Sequence, residues 1–123
     1  MGWTIDFKKD GFVWKEVWAP PTDIYEDEEE YIVVLEVPGV NIEKVRVSMF
    51  NGVLHIEGIR DTLSLLKKKN LNVHQVEILQ GRFEKYVSFP EDVDVDSAVA
   101  KYEDGLLIVH LPKKKIEIEI EEE

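Results

Sequence analysis

The sequence predicts an all-β fold, an antiparallel β-sandwich, and three observations carry that prediction. Apolar and polar residues alternate over several short runs, which places the apolar side chains of each run on one face of an extended strand. Proline or glycine punctuates the runs at regular spacing, as in sandwiches of about 100 residues. The chain has 123 residues, 44% of them hydrophobic, which suits one domain with a packed core.

Residues 1–21 stand apart as an arm. They hold all three tryptophans, Trp3, Trp14 and Trp18, together with Phe7 and Phe12, and they end at Pro20-Pro21. The spacing of Trp14, Val17 and Trp18 suits one helical face, which the proline pair would stop. From Asp23 the pattern changes to strands. Tyr31–Val37 is rich in β-branched residues and ends at the turn signal Pro38-Gly39. Val45–Met49 and Leu54–Glu57 alternate on either side of Asn51-Gly52, the strongest short hairpin signal. Phe83–Phe89 stops at Pro90, and Val99–Tyr102 turns through Glu103-Asp104-Gly105 into Leu106–Leu111, which stops at Pro112.

Two segments fit less simply. Residues 61–80 are long for a connection within a compact sandwich, and such segments are often functional. Leu63, Leu65, Leu66 and Lys67-Lys68-Lys69 suit a short helix, while Val73, Val76 and Ile78 suit a strand. Beyond Lys113-Lys114-Lys115, the run Ile116-Glu117-Ile118-Glu119-Ile120 puts every isoleucine on one face of a strand at the end of the sequence. That face either closes the chain's own sheet or docks on a neighbouring chain.

Chemistry-bearing patterns are missing. His55, His74 and His110 lie in separate segments with no metal-ligand spacing, so no metal or cofactor is expected and His55 and His110 read as surface imidazoles. The glycines are isolated, which leaves no phosphate loop, and no nucleophile elbow occurs. Without cysteine there is no disulfide scaffold or thiol catalysis. A net charge of -11 argues against nucleic acid and anionic membranes as partners. No run approaches the roughly 20 apolar residues of a membrane helix, and the first residues lack a signal pattern. The expectation is a cytoplasmic protein that is not an enzyme and acts through surfaces.

In order along the chain, Asp23-Ile24-Tyr25-Glu26, Val37-Pro38-Gly39-Val40, Leu54-x-Ile56-x-Gly58-x-Arg60, Gly81-Arg82-Phe83-x-Lys85 through Phe89-Pro90-Glu91-Asp92-Val93, Ala100–Leu107 and the terminal I-x-I resemble a small heat shock protein with an α-crystallin domain. The chain departs from the family pattern at Lys85, where arginine is usual, and in the short stretch between Pro112 and the isoleucines.

The resemblance implies an immunoglobulin-like sandwich over residues 22–112, flanked by the arm at 1–21 and a tail at 113–123, with 61–80 as a dimerisation loop. It implies a dimer that exchanges a strand from that loop, with Val73, Val76, Glu77, Ile78 and Lys85 at the interface. Ile116, Ile118 and Ile120 would dock on a neighbouring dimer, in a groove formed by Val45, Val47, Met49, Val99 and Ala100. The implied activity is that of an ATP-independent holdase, with partly unfolded proteins as partners and Trp3, Phe7, Phe12, Trp14 and Trp18 as their contact surface. The alternative is a monomeric co-chaperone that shares the sandwich and binds a larger chaperone.

Overall fold

A computed structural model of the protein describes residues 2–8, 11–61 and 70–123, and of residues 2–8 and 11–16 the backbone alone. The described residues form nine β-strands: β1 (Gly2–Lys8), β2 (Gly11–Trp18), β3 (Thr22–Glu26), β4 (Glu30–Glu36), β5 (Arg46–Phe50), β6 (Val53–Arg60), β7 (Gly81–Ser88), β8 (Val99–Glu103) and β9 (Leu106–Pro112). They build one sheet in the order β1-β2-β7-β6-β5 and a second in the order β3-β4-β9-β8. All pairings are antiparallel except β2 with β7, which run parallel through Val17↔Arg82 and Trp18↔Phe83.

Alternation decides which side chains meet between the sheets. Tyr31, Val33 and Leu35 from β4 point inward with Leu107, Val109 and Leu111 from β9. They pack against Leu54 and Ile56 from β6 and Phe83 and Val87 from β7. Both predicted tight turns form. Asn51 and Gly52 have φ of 50° and 77°, and Asp104 and Gly105 have 52° and 78°, the paired positive values a two-residue hairpin needs. The Tyr102 hydroxyl donates to the Val37 carbonyl at 2.9 Å, tying β8 to the end of β4.

Gly58 is fixed by packing rather than by backbone conformation. A Cβ there would lie 2.5 Å from Phe83 Cζ and 3.1 Å from Val45 Cγ2. Gly58→Ala should therefore overpack the core and lower stability by about 1–3 kcal/mol. Equilibrium urea unfolding checks this, and an unchanged midpoint would show that the Phe83 ring can yield.

The first residues depart from the helical expectation. Residues Gly11–Trp18, including Trp14, Val17 and Trp18, lie in a strand, because β7 offers an unpaired edge to which β2 adds. The helix expected around Leu63–Lys69 lies outside the described residues.

Two carboxylates are held ionised. The backbone N–H groups of Glu29 and Glu30 both donate to Asp27 at 2.8 Å and lower its pKa below the ordinary 3.8. The Tyr86 hydroxyl, then His55, lowers that of Glu84 below 4.5. Both folded values lie below the unfolded ones, so the unfolded chain binds more protons as pH falls and stability is lost through that window. Between pH 7 and pH 3 the Asp27→Asn, Glu84→Gln double variant should lose less stability than the parent. Urea midpoints measured across that range test it.

Candidate functional site

Edge strands β5 and β8 belong to different sheets, and an apolar groove opens between them. Val47 and Met49 line it from β5, and Val99 and Ala100 from β8, while Leu54, Val109 and Leu111 lie beneath. Its volume is about 220 Å³. Four of the five expected groove residues are thus brought together. Val45 is not among them, because it precedes β5 and packs on the core beside Gly58. Val95 and Ala98 complete the wall from a 3-10 turn and its cap, which no strand periodicity could have revealed.

The tail is rooted firmly and then runs free. The Lys113 N–H donates to the Glu29 carbonyl at 2.8 Å, and the Lys114 N–H to the Asp92 carbonyl at 2.9 Å. The Lys113 ammonium lies 2.5 Å from Glu26, 3.4 Å from Glu91 and 5.2 Å from the centre of the Tyr31 ring. Glu26, with help from Glu91, raises its pKa above the ordinary lysine value. Past this anchor Ile116, Ile118 and Ile120 are 80%, 87% and 92% exposed and join neither sheet.

A second apolar surface flanks β3. This strand pairs only with β4, so its other edge is open among the described residues, and Ile24 and Tyr25 are exposed on it. Val73, Val76 and Ile78 are 73%, 68% and 72% exposed in an irregular segment. Glu77 accepts a bond from Gln75 at 2.9 Å, and Lys85 forms no ion pair among the described residues. Val73, Val76 and Ile78 therefore face solvent, and Glu77 and Lys85 have no charged partner among the described residues.

The aromatic arm divides into two parts. Trp18 is 2% exposed, with its ring 5.5 Å from that of Phe83 and the Arg60 guanidinium 4.4 Å above it. Arg60 also donates to the carbonyls of Leu79 and Pro38, so it links the arm to the end of the long loop. Trp18 is a core residue here, not a free contact surface. The side chains of Trp3, Phe7, Phe12 and Trp14 lie outside the described residues.

The pattern of the Hsp20/alpha crystallin family matches residues 23–123. The chain belongs to that family. Among small heat shock proteins, it is 33% identical to protein C4 of Rickettsia felis over 100 residues, which are 81% of this chain and 60% of that one. It is 38% identical over 93 residues to HSP.16.4 of Streptococcus thermophilus, covering 75% of this chain and 64% of that protein. The chain thus spans about three fifths of the length of these relatives. Heat shock protein 16.0 from Schizosaccharomyces pombe shares the fold at a TM-score of 0.71 and 30% identity, over 84% of this chain and 98% of that one. A small heat shock protein from Xylella fastidiosa, whose structure is described as having a distinct high order, gives 0.72 and 25% over 86% and 95%. The sandwich is that of small heat shock proteins, and no helix among the described residues is long and apolar enough to cross a membrane.

Proposed function

We propose that this chain is an ATP-independent holdase, a cytoplasmic chaperone that binds partly unfolded proteins and works as an oligomer built from dimers. One observation carries the reading: three exposed isoleucines and an open apolar groove of matching character occur on the same chain. Docked in trans, the tail of one subunit fills the groove of the next, and both surfaces leave water together. The open edge of β3 suits a strand added from a partner's Val73–Ile78 segment, an arrangement the same on both subunits. There Lys85 and Glu77 would gain charged partners that they lack among the described residues. Client capture falls to apolar groups on the arm, with Trp3, Phe7, Phe12 and Trp14 as the candidates.

The purified protein should suppress aggregation of a heat-denatured client, followed by light scattering, with no nucleotide present. Added ATP should change nothing, and a strict requirement for it would sink the holdase reading. Native mass measurement separates this reading from a monomeric co-chaperone, which requires no large assembly.

A further inference from the structure

We propose that His55, Glu57 and Glu84, on the outward face of the β6–β7 pair, form a binding site for a divalent transition metal of the zinc type. His55 and Glu57 are two residues apart on β6, so both side chains leave the sheet on the side opposite Leu54 and Ile56. Glu84 stands directly across from Glu57 in the antiparallel register. One potential ligand atom from each of the three lies within 4.8 Å of the others, and all three residues are half-buried. Zinc holds nitrogen and oxygen donors at about 2.0–2.2 Å, which puts neighbouring donors roughly 3.4 Å apart in a tetrahedron. Small rotations of the two carboxylates close that difference.

Charge and orientation both favour an ion here. Two carboxylates directly opposed across a strand pair repel each other. Glu57 is met only by Arg82 among the described residues, 3.3 Å away on a side chain that is 59% exposed and easily displaced, while Glu84 meets the His55 imidazole at 2.8 Å, a contact that a metal would replace. Tyr86 prepares the other two donors. Its ring stacks on the His55 imidazole with centroids 4.3 Å apart and planes 6° from parallel, and its hydroxyl donates to Glu84 at 2.8 Å. The partners behind metal ligands commonly hold them in place in this way. An imidazole among the donors selects zinc-like ions over magnesium, and a three-ligand set leaves one position for water or another molecule. Among the described residues, the other close histidine–carboxylate pair, His110 with Glu30 at 2.6 Å, has no second carboxylate and serves as the internal control.

The test is isothermal titration of the full chain with zinc chloride and, separately, magnesium chloride at neutral pH. Zinc should bind saturably with one ion per chain, and magnesium should not compete. His55→Ala and Glu84→Gln should each weaken binding by about tenfold or more. Arg82→Ala should tighten it, since the guanidinium no longer competes for Glu57. His110→Ala should bind like the parent. Circular dichroism establishes that each variant is folded, and His55→Gln replaces His55→Ala if the latter is not. Non-saturable uptake, equal affinity for magnesium, or unchanged binding in the folded His55 variant would each overturn the site. The last result would assign the ions to diffuse attraction by the acidic surface.

Discussion

Ile118→Ser should reduce a large assembly to dimers that remain folded. Ile118 belongs to both pairs the tail can present, Ile116 with Ile118 and Ile118 with Ile120, so its loss disables either register. Each isoleucine buried in a neighbour's groove gains about 1.5–3 kcal/mol gross. Ordering the tail and fixing the partner offset much of that, so under the proposed docking a single contact is weak and the assembly depends on many contacts at once. Removing one isoleucine from every chain therefore acts on all of them together. The fold itself should be spared, because the side chain is 87% exposed within its own chain. Size-exclusion with light scattering and a circular dichroism spectrum decide the outcome. Ala100→Asp, which places a charge in the groove, should reproduce it from the other side. Of Ile116→Ser and Ile120→Ser, the one that matches Ile118→Ser names the docking register. An Ile118→Ser protein that stays fully assembled would refute docking through the tail.

Trp18→Ala should destabilise the fold by about 3–5 kcal/mol, the range for removing a large buried aromatic side chain. The substitution leaves a cavity against Phe83 and takes the ring from beneath Arg60, whose other bonds hold Leu79 and Pro38. Trp18→Phe should cost far less. The indole N–H is buried without a hydrogen-bond partner among the described residues, and a phenyl ring removes that donor while keeping most of the apolar contact. Chemical unfolding of the two variants is the measurement. A mild Trp18→Ala would mean that β2 detaches readily and that Trp18 belongs with the side chains proposed to contact clients.

Trp18 also marks where the sequence stopped being legible. The strands β4, β6, β7 and β9 could be read because alternation is local and their turns carry Pro, Asn-Gly or Asp-Gly. The arm could not. Trp14, Val17 and Trp18 match a helical stripe, but the edge of β7 recruits the segment as a strand, and that edge is about 65 residues away along the chain. The groove was readable where it is made of strands, at Val47, Met49, Val99 and Ala100. It was not at Val95 and Ala98, whose positions come from a 3-10 turn. Val45 shares the alternation of Val47 and Met49, yet it precedes the strand and fills the space that Gly58 leaves. His55 is no lone surface imidazole, because Glu84 comes within 2.8 Å of it from a neighbouring strand that sequence spacing does not reveal.

The clamp at Lys113 and Lys114 makes the tail a short tether. Only the residues from Lys115 onward can swing, and the six from Lys115 to Ile120 reach at most about 20 Å when fully extended. A neighbour can be captured only if its groove opens inside that radius. A long flexible connector would tolerate many distances and so permit a spread of particle sizes. A connector this short selects neighbours by distance, and assemblies linked through it should come in one size or very few.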